Sequence, residues 1–152
     1  MPTHPSLTIR PLAAKDRADW QRLYTAYHAF YDRPDLPADF YDTAFARLTD
    51  PDSGLYARVA QSGDRLVGLV HYLYHAHVWR PEGVCYLQDL FTDAATRGQG
   101  VGRALIEAVY AEADRAGCPA VYWLTQEFNY AGRMLYDKVA VRSPFIRYNR
   151  PL

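Results

Sequence analysis

Three alternating glycines, Gly98, Gly100 and Gly102, lie in Arg97-Gly-Gln-Gly-Val-Gly-Arg103, where a helical pattern begins. Without Cβ atoms the backbone there admits a ligand at close range. The helix behind it offers unpaired amides and the positive end of its dipole. That chemistry holds an anion, most often phosphate or pyrophosphate. A nucleotide P-loop needs G-x-x-x-x-G-K-[ST], which is absent. A dinucleotide turn needs G-x-G-x-x-G, and Arg103 stands at the third glycine position. The bland alternative is an ordinary tight turn before a helix.

Asn129 and Tyr136 are seven residues apart in a helical stretch. That is about two turns, so both side chains reach one cleft. Tyr136 can give a proton there; the alternative is a core aromatic. Gln88 and Asp89 lie within the apolar strand ahead of the glycine turn. Gln takes no proton at neutral pH, so Asp89 is the candidate base, directly or through water. An ordinary ion pair is its alternative. Strand alternation puts Gln88 and Asp89 on opposite faces, so only one faces a given cleft. Glu127 is a further acid, with a solvated loop charge as the simpler reading.

His71, His75 and His77 share strand parity and hence a face. With no Cys or acidic ligand near them, no metal is expected. They read as packed or solvent-facing, with a proton-relaying His as the alternative. Cys85 reads as a buried strand thiol rather than an acyl acceptor. Between Tyr27 and Asp42, aromatic residues (Tyr27, His28, Phe30, Tyr31, Phe40, Tyr41) mix with Asp32, Asp35, Asp39 and Asp42, and Arg33 is the only base. Such a mixture suits a cationic amine. A solvated helix pair with core aromatics is the competing reading.

The bulk numbers restrict the class. At 152 residues the chain reads as one domain, 1–152, with a full core. A hydrophobic share of 49% against 22% charged residues argues for a globular fold. Thirteen Tyr suggest a cleft lined by amphipathic rings. Lys+Arg and Asp+Glu are both 17, which argues against a nucleic-acid footprint. No apolar run reaches membrane-spanning length, and Met1 to Arg10 has no leader pattern. Two cysteines, Cys85 and Cys118, make no disulfide framework, so a cytoplasmic setting is expected.

The elements that must position these groups follow from periodicity. Leu7 to Arg10 reads as a strand ending at Pro11. Lys15 to Tyr31 reads as a helix with Trp20, Leu23, Tyr24, Tyr27 and Phe30 on one face. Arg33-Pro-Asp-Leu-Pro37 breaks it, and Ala38 to Leu48 reads as a second helix. Leu55–Gln61, Leu66–Trp79 and Val84–Thr92 read as strands joined by short turns, an antiparallel meander. A helix over Val101–Ala116 buries Val101, Leu105, Ala108, Val109 and Ala113. Ala120–Thr125 is a strand parallel to the one before that helix. Tyr130–Asp137 is a last helix and Phe145–Tyr148 a closing strand. The order β-α-α-β-β-β-α-β-α-β predicts an α+β domain with a mixed, mostly antiparallel central sheet flanked by helices.

Three motifs in this order resemble the GNAT superfamily of N-acetyltransferases. Arg97 to Ala104 fits its pyrophosphate turn, an Arg or Gln, two residues, then G-x-G or G-x-A, in registers starting at Arg97 or Gln99. Leu87-Gln-Asp-Leu-Phe-Thr92 looks like its central strand, and Val121-Tyr-Trp-Leu-Thr125 like the strand after its CoA helix. Asn129-Tyr-Ala-Gly-Arg-Met-Leu-Tyr136 looks like its Asn–Tyr motif. The strong likeness covers residues 84–138; the first 80 residues agree in layout only.

The resemblance implies acetyl-CoA as co-substrate and a primary amine as acceptor, joined directly in a ternary complex without an acyl-enzyme or a metal. Leu90, Phe91 and Thr92 would pair with the pantetheine arm. Arg97, Gly98, Gln99, Gly100, Val101, Gly102 and Arg103 would hold the pyrophosphate, and Asn129 the arm near the thioester. Tyr136 would protonate the thiolate. Some polyamine-type members carry Glu where Gln88 stands, which puts the base role on Asp89. Tyr27, His28, Tyr31 and Gln88 would line the acceptor side. The acceptor would be a polyamine, a free amino acid or a Lys side chain of a small basic protein. The family often has Gly and an aromatic after the Tyr136 helix; Val139-Ala-Val141 stands here, and the short strand after it implies a homodimer whose partner completes the sheet. A catalytically silent acyl-CoA binder and a nicotinamide oxidoreductase are the rival classes.

Overall fold

The computed structural model describes residues 6–33 and 35–152; Met1 to Pro5, and Pro34 within the predicted break, lie outside the described residues. Strand β1 spans Leu7–Pro11, and a 3₁₀ turn at Ala14–Asp16 leads into helix α1, Arg17–Phe30. Helix α2 is Phe40–Leu48, followed by β2 (Leu55–Ser62), β3 (Arg65–His75) and β4 (Val84–Thr92). Helix α3 spans Val101–Arg115, β5 Val121–Tyr122 and α4 Tyr130–Val139. The sheet runs β1-β2-β3-β4-β5, antiparallel except for the β4–β5 pair.

The sheet is covered on both faces, as its alternating strands require. On one face α3 buries Val101, Leu105, Ile106, Val109 and Ala113 against Val70, Tyr72, Cys85 and Leu87. Ile106 joins the predicted stripe and Ala108 is only half-buried, because the apolar face of α3 is wider than its five-residue pattern. Gly68 in β3 lets the helix approach: a Cβ there would stand 2.9 Å from Val101 and 3.0 Å from Leu105. On the other face α1 seats Trp20, Leu23 and Tyr24 on Val59, Leu66 and Leu69. Arg10 of β1 clamps Asp16 with bonds of 2.7 and 2.8 Å and so fixes where α1 begins.

Four expectations need correction. β3 stops at His75, not Trp79, because its partner β4 begins opposite His75 at Val84. β5 holds two paired residues rather than six, Val121 with Cys85 and Tyr122 with Tyr86. The third concerns β4 itself. His71 pairs with Asp89 and Tyr72 with Leu87, so Gln88 is an extra residue in a β-bulge. Leu87 and Leu90 therefore both pack toward α3, and Gln88 and Asp89 border one cavity together instead of facing opposite ways. The β4–β5 pairing ends at Tyr86, just ahead of the bulge.

The predicted strand Phe145–Tyr148 is also absent. Residues after Val139 form no helix or strand, and Phe145 and Tyr148 are 85% and 88% exposed. A strand needs a pairing edge, and the β5 edge is only two residues long. Among the described residues no helix is long and apolar enough to cross a membrane.

Candidate active site

Beyond Tyr86, β4 has no partner on its β5 side among the described residues. A cavity of about 610 Å³ opens along that free edge. Leu90, Phe91 and Thr92 form one wall, the glycine turn a second, and Asn129, Leu135 and Tyr136 of α4 a third. Tyr27, Phe30 and Tyr31 of α1 close the top. An open strand edge can hydrogen-bond an extended ligand as an added strand would.

Gly98 and Gly100 have φ of 79° and 83°, a left-handed conformation that other residues adopt only with strain. Gly100 caps α3, so the free amides of the first turn open toward the cavity. Arg97 and Arg103 border the same end. Arg97 lies over the Phe91 ring at 5.7 Å, and Arg103 is 3.5 Å from Glu107. Two cations beside a helix N-terminus make a polyanion site. At the opposite wall Asn129 caps α4: its Oδ1 accepts from the Gly132 amide at 3.3 Å, and its Nδ2 donates to Thr125 Oγ1 at 3.0 Å. Tyr136 meets Trp123 edge-on at 5.4 Å. Burial, with Tyr31 nearby, pushes its phenol up to about 12, so it is protonated throughout neutral pH.

Behind Phe91 lies a buried polar network. Asp89 is only 6% exposed. Its Oδ2 accepts from Tyr24 at 2.8 Å and from His71 Nδ1 at 2.9 Å, and its Oδ1 accepts from Tyr27 at 2.9 Å. His71 Nε2 lies 3.0 Å from the Trp20 indole nitrogen. An indole N–H only donates, so Nε2 accepts and Nδ1 carries the hydrogen given to Asp89. Burial alone would raise the carboxyl pKa, but the bonds from His71, Tyr24 and Tyr27 outweigh it and hold it below the usual carboxylate range. Asp89 is a fixed negative charge. Burial and that charge push both tyrosine hydroxyls upward, so they remain donors.

The family model of the acetyltransferase (GNAT) family matches residues 20–140. The chain is 37% identical over 147 residues to the D-amino-acid N-acetyltransferase HPA3 of Saccharomyces cerevisiae, covering 95% of this chain and 90% of that one. The chain belongs to the GNAT acetyltransferase family. Solved structures share its fold. The aminoglycoside N-acetyltransferase AAC(6')-Iy, solved with CoA, superposes with a TM-score of 0.85 at 19% identity, covering 99% of this chain and 98% of that one. The ribosomal-protein-alanine N-acetyltransferase of Brucella melitensis biovar Abortus 2308 gives 0.78 at 21% identity, covering 97% and 100%.

Most residues expected of a GNAT cofactor site meet at the large cavity: Leu90 to Thr92, Arg97, Gly98, Gly100 to Arg103, Asn129 and Tyr136. Gln99, named with them, does not border it. Of the expected acceptor-side residues, Tyr27 and Tyr31 line this cavity and Gln88 a smaller one with Asp89. His28 packs instead among Tyr24, Phe40 and Tyr41, its ring 4.2 Å from Tyr24. Burial lowers its pKa. His75 bonds the Tyr122 hydroxyl and His77 packs on Trp79, so the three histidines go separate ways. Among the described residues no three His, Cys, Asp or Glu side chains converge as a metal set. Glu127 is a solvated charge 3.7 Å from Arg142.

Tyr24, Trp20 and the role of His71 were missed in the sequence. The only signal was the three-residue spacing of Tyr24 and Tyr27, which also suits plain core packing. Cys85 is buried, and burial beside Cys118 pushes its thiol up to about 12, which removes it as a nucleophile near neutral pH.

Proposed function

We propose that this GNAT enzyme moves an acetyl group from acetyl-CoA directly to the primary amine of a small acceptor, within a ternary complex. The observation that carries this reading is the free β4 edge, which runs from the glycine turn to Tyr136 along one cavity. The amides from Gly98 to Arg103, with Arg97 and Arg103, hold the pyrophosphate. Leu90 to Thr92 pair with the pantetheine arm, and a strand amide near Phe91 polarises the thioester carbonyl. Asn129 keeps α4 at the arm. Asp89 holds the acceptor's ammonium by charge, and the ammonium's proton leaves to bulk water, directly or by way of Asp89, since its depressed pKa suits an anchor more than a proton store. The N–C bond forms, the C–S bond breaks, Tyr136 gives its proton to the departing sulfur, and the proton lost from the acylated nitrogen returns through water to restore the phenol.

The acceptor class follows from the yeast relative, a D-amino-acid N-acetyltransferase that shares most of its length with this chain. A free amino acid is the reading we adopt. Two buried free thiols suit a cytoplasmic enzyme. The test is release of CoA thiol from acetyl-CoA over a panel of amino acids, polyamines, peptide lysines and aminoglycosides. Acceptor-dependent release supports the transferase. Tight CoA binding with no release on any amine would show a silent binder instead.

The segment after Val139 carries Val141, Phe145, Ile146 and Tyr148 fully in water, beside a two-residue edge strand. Those exposed side chains favour a homodimer in which each tail is covered by the partner. A monomer by light scattering at every concentration tested would defeat that assembly.

A further inference from the structure

A second cavity, of about 180 Å³, lies between α2 and the sheet. It is smaller than the roughly 300–1,000 Å³ of sites for drug-sized ligands. Asp89 and Gln88 stand at one end, both brought there by the bulge. Arg47, in the last turn of α2, also borders it and makes no ion pair among the described residues. Phe40, Ala44, Leu48 and Leu55 supply apolar wall.

Among the described residues Asp89 has no Lys or Arg partner; its three donors are two phenols and His71, whose second nitrogen faces the Trp20 indole N–H. A carboxylate offers about four acceptor sites. Oδ2 takes two donors and Oδ1 only one, so Oδ1 keeps a site for a further N–H. Among the described residues the cavity thus joins an anion without a Lys or Arg partner, a cation without a carboxylate partner and an apolar wall. The complementary ligand is a small zwitterion with a side chain.

We propose that this cavity is the acceptor subsite and takes a free α-amino acid, with Arg47 holding the α-carboxylate and Asp89 the α-ammonium. This rests on the acetyl-transfer reading above and extends it to a specificity-determining residue. Tyr24 borders this cavity and Tyr27 the CoA cavity, and both bond Asp89, so the amine is held at the wall between the two. Arg47 then disfavours polyamines, whose second cation would meet it. Three unlike contacts around one carbon also distinguish mirror images.

The test compares amino acids of both hands, their carboxamides and a polyamine, on the wild type and on Arg47→Ala, by thiol release with saturating acetyl-CoA. The wild type prefers the free acid to its amide and one enantiomer to the other. In R47A the KM for the preferred acid rises at least about ten-fold, the worth of one charge-assisted hydrogen bond. The KM for the amide rises far less, the enantiomer preference shrinks, and Arg47→Lys restores part of both. The KM for acetyl-CoA stays as it was. Equal losses on acid and amide, or a wild type that turns over polyamines but ignores amino acids, would overturn the subsite and leave the transferase standing. No thiol release with any amine would overturn both.

Discussion

Along the free edge of β4, the large cavity is built from backbone and a few cations: an open strand edge, a glycine turn, a helix N-terminus, Arg97 and Arg103. On the α1 and α2 side of the same strand, the site is built from side chains. Asp89 draws Tyr24, Tyr27 and His71 from positions 65, 62 and 18 residues away, and Trp20 then fixes His71 from 51 residues away. The difference matches what each side must recognise. In the proposed reading a CoA pyrophosphate and an amide-rich arm would be met by backbone groups, which one contiguous stretch can present. A small amine needs a charge held at one point, which requires several elements to converge.

Three substitutions would sharpen or break this contrast, the largest effect first. Tyr136→Phe should lower kcat by about 10²- to 10³-fold, the range of a lost general acid, with CoA affinity within about two-fold. In the wild type the acid must keep its proton. A phenol pushed up to about 12 therefore predicts no falling limb in the kcat profile until pH approaches that value. Unchanged turnover in the Phe variant would remove Tyr136 from the chemistry.

Asp89→Asn should act on both activity and stability. It keeps the shape but turns an acceptor oxygen into a donor facing Tyr or His71 donors. Loss of about 2 kcal/mol is expected in denaturant melts, the cost of buried donors left unsatisfied. The kcat/KM for amines should fall about 10- to 100-fold while CoA still binds. Acid should mimic part of the stability loss. The folded pKa of Asp89 is depressed, so its contribution is present above the unfolded carboxyl value and disappears as pH falls through the folded one. A variant as stable as the wild type would show that the network does not organise the acceptor side.

Gly100→Ala should have the smallest effect. Open space surrounds a Cβ at Gly100, so the only penalty is the left-handed φ, about 1 to 2 kcal/mol. CoA should bind about five-fold more weakly, with amine KM unmoved. A change confined to the amine side would reverse the assignment of the two cavities.

Local elements were largely legible. β4 has the predicted bounds, and α1, α2, α3 and α4 depart from theirs by a few residues at most. Their apolar periods are long, and a three-dimensional partner was not needed to see them. The departures came where pairing decides. β5 and the tail read as strands because their residues are β-formers, but a strand exists only with an edge to bind. The bulge at Gln88 has no signature in Leu87-Gln-Asp-Leu90; it appears only once β3 sets the register.

The sequence by itself determined the lining of the large cavity, because it sits in contiguous motifs: three alternating glycines before a helix, and an Asn and a Tyr two turns apart. It also determined the meander and the crossover helix. Only the tertiary structure decided the network and cavity around Asp89. One extra residue in β4 turned Gln88 and Asp89 toward the same cavity, and folding brought Tyr24, Tyr27, His71 and Arg47 around it. Short-range periodicity cannot encode such a site, because its geometry depends on register between strands and on helices packed over them.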